Sequence, residues 1–194
     1  MAKLIKNFFN KNELKVYQKY CYNKLDEDLG RIDPDQFSPA WYLDPLMNAL
    51  LDTKLSLVEQ ESNLELFPTY AYWRYYIFGG SLKKHFDRPA CEVSITTCIK
   101  KDSNWPIVVG GDNFELEEGD AVLYYGCFEE HSRPGKYKGE GMAQVFLHYV
   151  NKNGPFTHHA YDRYTKDNDG SKFSDEDRKI LDKLKNEYRS LKNQ

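Results

Sequence analysis

The sequence predicts a mainly β protein, a β-sandwich or jelly roll buttressed by helices at both ends. Three observations carry this. Apolar residues at helical spacing fill the first third of the chain, short β-branched and aromatic segments punctuated by Gly, Asp and Asn follow from residue 68, and one amphipathic helix closes it. Helices, then many strands, then a helix is not the alternation of a parallel α/β sheet.

Asn10 and Glu13 have the spacing of a capping box, and Leu14, Tyr17, Cys21 and Leu25 then mark one face of a helix over 11–27. Gly30, Pro34 and Pro39 break the pattern, so 30–44 reads as loop. Asp44-Pro45 supplies an N-cap and a proline at the first helical position for a second helix over 45–61, carrying Leu46, Met47, Leu50, Leu51, Leu55 and Val58. Strands are predicted over 69–78, 92–99, 107–109, 121–125 and 143–150, with Gly119-Asp120 as a tight turn into the fourth. The stretch 151–173 reads as polar loop. Ser174 caps a last helix whose stripe of Leu181, Leu184, Tyr188 and Leu191 is expected to pack on the chain's own barrel. This gives a single domain over 1–194, with helical support in 1–67, a jelly-roll core in 68–150, and a loop and helix in 151–194.

The chain has 194 residues, 27 Lys and Arg against 30 Asp and Glu, a net charge of −3 and 15 Tyr, with a mean hydropathy of −0.76. It is long enough to bury a core without disulfide or structural metal. No apolar run approaches the roughly 20 residues that span a bilayer, and the start lacks a signal-peptide apolar region, so no membrane association and a cytoplasmic location are expected. The near-neutral balance argues against tracking a nucleic-acid backbone by charge. Cys21, Cys91, Cys98 and Cys127 form no CxxC pair and read as free thiols in a reducing compartment.

The chemistry centres on Lys84-His85-Phe86-Asp87. In an extended segment residues i and i+2 point to one side, so His85 and Asp87 can offer a nitrogen and an oxygen to one ion. His131, after the 121–125 strand, is the third candidate. Two His and a carboxylate on one face form the facial triad of non-heme Fe(II) oxygenases. Taken alone, His-x-Asp reads more often as an exposed turn pair.

The stretch 72–150 adds matched pieces in order: Arg74-Tyr75, Gly79 and His85-x-Asp87; Glu118-Gly119-Asp120-Ala121-Val122-Leu123-Tyr124; and Val145-Phe146-Leu147-His148-Tyr149. These resemble the prolyl-4-hydroxylase-like branch of the Fe(II)/2-oxoglutarate-dependent dioxygenases. The runs His85-Phe86-Asp87-Arg88-Pro89-Ala90-Cys91-Glu92 and 144–149 are similar to bacterial and phage-type members. The resemblance implies a double-stranded β-helix, the cupin-like form of the jelly roll, with Fe(II) on His85, Asp87 and His131 as metal ligands and catalytic centre. It further implies 2-oxoglutarate and O2 as co-substrates, admits ascorbate, and implies hydroxylation of an unactivated C–H bond with release of succinate and CO2. The first substrate class is a prolyl residue in a peptide or protein. A free amino acid or a nucleobase is the alternative, as is a jelly-roll binding module without turnover. The chain is expected as monomer or homodimer.

One position departs from the family pattern. The family places Arg or Lys on the closing strand to bind the far carboxylate of 2-oxoglutarate, and Met142 stands in that slot. Arg133, two residues after His131, shares its strand face if the segment is extended and offers a bidentate fork. Arg88 and Lys138 are weaker rivals. Tyr75 matches a family tyrosine that hydrogen-bonds 2-oxoglutarate, and Gln144, parity-matched with His148, is a further candidate contact. His148 reads as a satisfied core histidine, His158-His159 as loop residues without a catalytic role, Trp73 and Trp105 as packing residues, and Gly79-Gly80 as a turn.

Overall fold

The computed structural model describes residues 2–27, 30–162 and 174–192. In chain order the elements are β1 (Lys3–Ile5), α1 (Lys11–Glu27), β2 (Arg31–Asp33), β3 (Ser38–Tyr42), α2 (Pro45–Thr53), α3 (Leu55–Ser62), β4 (Leu66–Tyr76), β5 (Leu82–His85), β6 (Val93–Lys101), β7 (Ile107–Val109), β8 (Asp112–Phe114), β9 (Ala121–Tyr124), β10 (His131–Arg133), β11 (Met142–Asn151) and α4 (Asp175–Lys192). Two antiparallel sheets face each other, a large one in the order β1-β9-β6-β11-β4-β3-β2 and a small one in the order β5-β10-β7-β8. This is the mainly β, double-stranded β-helix architecture, with helices at both ends.

The capping box forms: Glu13 N–H donates to Asn10 Oδ1 at 3.0 Å, and Asn10 N–H to Glu13 Oε2 at 2.9 Å. Asp44 caps α2 through Leu46 and Met47 N–H, and also accepts from Tyr20 at 2.6 Å and the Trp73 indole at 3.3 Å. One buried carboxylate thereby joins α1, α2 and β4. The predicted 45–61 helix is two helices. Lys54 leaves helical geometry between them (φ −100°, ψ −4°), and its buried ammonium bonds Phe8 O at 3.1 Å and Glu13 at 2.8 Å. That tertiary pull has no signature in local periodicity.

The expected 30–44 loop is a hairpin, with β3 pairing β4 from Ala40 onward. Pro39 faces the β2 side, opposite Ile32, and no β4 partner stands opposite it, so its missing N–H costs no ladder bond to β4. Strands β1, β5, β8 and β10, three or four residues long, lack a run of β-branched residues like the Ile-Val-Val of the equally short β7, so no local pattern marks them.

Central strands of the large sheet are buried on both faces. Ala71, Trp73, Ile95, Ala143, Val145 and Leu147 pack toward the helices, while Tyr76, Cys98, Val122, Tyr124, Met142 and Phe146 pack toward the small sheet. The site lies between the sheets. At the other end Leu181 of α4 packs on Cys127, Val150 and Phe156; the side chains of Tyr188 and Leu191 lie outside the described residues. All four cysteines are free and buried.

Candidate metal centre

Strands β5 and β10 put His85 directly opposite His131, with ring centroids 4.2 Å apart. Asp87 N–H donates to Gly126 O at 2.9 Å, which anchors the backbone just beyond β5. The Asp87 carboxylate meets both rings: His131 Nε2 lies 3.4 Å and His85 Nε2 3.5 Å from its Oδ1. Each Nδ1 is taken by a backbone carbonyl, His85 by Lys83 O at 2.8 Å and His131 by Glu129 O at 3.0 Å. With Nδ1–H committed, each neutral ring presents its Nε2 lone pair to the carboxylate side, the arrangement that outer hydrogen bonds impose on metal-binding histidines.

The donor set fits a divalent metal. The three ligand atoms lie within 4.8 Å of one another, and Asp87 Oδ2 is buried with no hydrogen-bond partner. A buried carboxylate oxygen without a donor is costly unless a cation takes it. Burial by itself would raise the Asp87 pKa, but His131 and His85 more than reverse that and hold it well below the usual carboxylate range. Burial also lowers His85, and Asp87 together with the Lys83 carbonyl outweighs it, leaving His85 above its ordinary value.

Gly126 is part of this site, although sequence reasoning did not single it out. A Cβ there would stand 2.5 Å from Asp87 Oδ2, 2.6 Å from Cys91 O and 2.7 Å from Ser94 Oγ, so only glycine lets the chain close over the carboxylate. The requirement is one of space between distant segments, and no local pattern signals it.

The wall around the three ligands includes Tyr72, Tyr76, Leu82, Ile107, Tyr124 and Phe146, enclosing a cavity of ≈ 20 Å³. His148 lines it too, and is not a satisfied core histidine. Ser94 Oγ donates its proton to Cys91 O at 3.1 Å, so it accepts from His148 Nδ1–H at 2.9 Å. His148 Nε2 is then a buried acceptor with no partner. Burial holds its pKa down to about 4, so the ring is neutral at pH 7.

Arg133 lies buried on β10. Its Nη2 donates to Gln144 Oε1 at 2.7 Å, its Nη1 to Trp105 O, and the guanidinium stacks 5.2 Å from the Trp105 ring. No carboxylate among the described residues pairs with it, its Nε has no partner, and Gln144 Nε2 has none either. The other expected contacts fall elsewhere. Tyr75 is on the opposite face of β4, packed toward the helices, because its neighbours Tyr72, Arg74 and Tyr76 take the inner parity. Arg88, one residue after Asp87, is ion-paired with Asp162 and lies 4.6 Å over Tyr70, so its charge is already matched. Lys138 is exposed, and Met142 is packed in the inner core. Trp73 stacks on Trp41 at 4.0 Å, and Trp105 donates to Pro134 O at 2.8 Å.

No protein-family profile and no curated protein matches the sequence. Solved structures do match. The non-heme α-ketoglutarate-dependent epimerase SnoN of nogalamycin biosynthesis superposes with a TM-score of 0.64 at 10% identity, over 77% of this chain and 78% of that one. A Pseudomonas putida prolyl-4-hydroxylase gives 0.61 at 12% identity, over 78% and 93%. The viral collagen prolyl hydroxylase of Paramecium bursaria Chlorella virus-1, in its 2-oxoglutarate complex, gives 0.58 at 9% identity, over 76% and 94%. The likeness is one of fold: this chain has the double-stranded β-helix of the Fe(II)/2-oxoglutarate oxygenases. No helix among the described residues is long and apolar enough to cross a membrane.

Proposed function

We propose that this chain is an Fe(II)- and 2-oxoglutarate-dependent dioxygenase that hydroxylates an unactivated C–H bond, with a prolyl residue of a peptide or protein as first substrate class and a free amino acid or nucleobase as alternatives. The observation that carries the proposal is the convergence of His85 Nε2 and His131 Nε2 on Asp87 Oδ1 at 3.5 and 3.4 Å, inside this fold. The likeness in fold to 2-oxoglutarate oxygenases supports it.

In this reading His85, Asp87 and His131 would hold the metal, two imidazoles and one carboxylate. When bound, Fe(II) with 2-oxoglutarate and O2 supplies oxidation of a C–H bond, with succinate and CO2 released. The chain's own share is position and exclusion of water. Lys83 O and Glu129 O orient the two imidazoles, and Gly126 lets the backbone close over Asp87. Arg133 binds the far carboxylate of 2-oxoglutarate, exchanging its bonds to Trp105 O and Gln144 for a charged partner, with Gln144 beside it. Tyr72, Tyr76, Tyr124 and Phe146 keep bulk water from the site.

Anaerobic addition of Fe(II) and 2-oxoglutarate is expected to give a visible metal-to-ligand charge-transfer band, and admission of air to release succinate. Both are lost in His131→Ala. A binding module without turnover shows no succinate. Succinate release above background, screened over proline peptides, free amino acids and oligonucleotides, separates the substrate classes.

A further inference from the structure

A second group of metal-type ligands lies outside this centre. His158 and His159 sit in the 3-10 turn Thr157–His159, after β11, and Asp177 is in the first turn of α4. The two rings are 4.3 Å apart. Both Nε2 atoms lie beside the one carboxylate: His158 is hydrogen-bonded to Asp177 Oδ1 at 2.9 Å, and His159 stands 3.4 Å from Oδ2. Asp177 is held in place independently of them. Its N–H donates to Ser174 Oγ at 3.0 Å, and Ser174 N–H to its Oδ2 at 3.3 Å.

A hydrogen-bonded cap accounts for only part of this arrangement. His158 Nε2–H can donate to Oδ1, but His159 Nε2 is buried without a hydrogen-bond partner among the described residues, and the Asp177 side chain is 4% exposed. Two imidazole nitrogens and a buried carboxylate, with ligand atoms within 4.8 Å of one another, make a donor set suited to a cation. Zinc bonds of about 2.0–2.1 Å in tetrahedral geometry require ligand atoms about 3.3 Å apart. The observed 2.9 and 3.4 Å need only small side-chain adjustments, and all three atoms lie within 4.8 Å. His158, with a side chain 52% exposed, leaves a path from solvent and room for a water as fourth ligand. The nearby Arg88 is ion-paired with Asp162.

We propose that His158, His159 and Asp177 form a second metal site, for Zn²⁺ or a divalent cation of similar tetrahedral preference, which fastens the N-terminal end of α4 to the end of the barrel. Metal there stabilises the folded chain by mass action, independently of any iron chemistry.

Zn²⁺ titration of the metal-free full chain against a chromophoric chelator is the test. Wild type is expected to bind two equivalents. The His158→Ala, His159→Ala variant binds one, retained at the first centre, and its thermal midpoint no longer rises with the second equivalent. The His85→Ala, His131→Ala variant also binds one. With Co²⁺ in place of Zn²⁺, the stronger visible bands of a tetrahedral ion disappear in the first variant and persist in the second. His158 is exposed and His159 half-buried, and circular dichroism checks that the first variant folds. A stoichiometry that is the same in wild type and in His158→Ala, His159→Ala overturns the proposal.

Discussion

Arg133 donates from Nη2 to Gln144 Oε1 at 2.7 Å, so a buried guanidinium has an uncharged amide as its side-chain partner. Burial lowers the Arg133 pKa from its ordinary value more than Tyr76, Cys98, Tyr124 and Tyr137 raise it, and no carboxylate among the described residues pairs with it. An unmatched buried charge costs several kcal/mol, of order 3–5 where a partner has been removed. A ligand carboxylate is the natural match.

Arg133→Leu therefore separates binding from stability. The 2-oxoglutarate affinity is expected to fall by about 30-fold or more, the scale of a lost charge-assisted pair. Fe(II) affinity changes little, and the thermal midpoint of the metal-free chain stays level or rises. Titration of the anaerobic charge-transfer band with each component, together with a thermal melt, reads all three. Unchanged 2-oxoglutarate affinity would refute the assignment.

Gly126→Ala places a methyl 2.5 Å from Asp87 Oδ2. Overpacking of this kind costs about 1–3 kcal/mol, and displacing a ligand's surroundings costs about 10–100-fold in metal affinity. Thermal melts and metal titration are both expected to show the loss. A variant with wild-type metal affinity would show that the backbone has room to retreat.

His85 also links stability to pH. Its folded pKa is raised, so its pair with Asp87 stabilises the metal-free chain fully below the ordinary imidazole value near 6.5. That contribution is lost as pH rises through the raised value. Metal needs the unprotonated ring, so Fe(II) affinity rises over the same interval. Thermal melts of the metal-free chain and Fe(II) titrations across this range are expected to move in opposite directions, and His85→Asn abolishes the opposition.

Tyr75→Phe is expected to leave 2-oxoglutarate affinity within about twofold, because its ring faces the helices rather than the cavity. Tyr72→Ala opens the wall beside Phe146, against which Tyr72 stacks at 4.6 Å, and raises succinate release uncoupled from substrate. Titration of the charge-transfer band and a succinate assay distinguish the two positions. A large loss of 2-oxoglutarate affinity in Tyr75→Phe would return that residue to the site.

Much of this was legible before any coordinates. The capping box at Asn10, the Asp44-Pro45 start of α2 and the 107–109 strand each follow from interactions within a few residues. Tyr75 was misplaced because β4 is buried on both faces. Tyr70, Tyr72, Trp73, Tyr75 and Tyr76 then carry no alternation between polar and apolar to mark which parity looks inward. The break at Lys54 and the partners of Arg88 and His148 come from segments 41 to 74 residues away in sequence.

By itself the sequence determined the order of elements, the mainly β class and the identity of the His-x-Asp pair with a later histidine, because these depend on local spacing and side-chain type. Only the tertiary structure decided that His85 stands opposite His131, that Gly126 must be glycine, that Arg133 is buried with no carboxylate partner among the described residues while Arg88 has one, and that Asp177 comes up under His158 and His159. Each of these is a matter of register or packing between distant segments, settled by how the two sheets and the last helix close on one another.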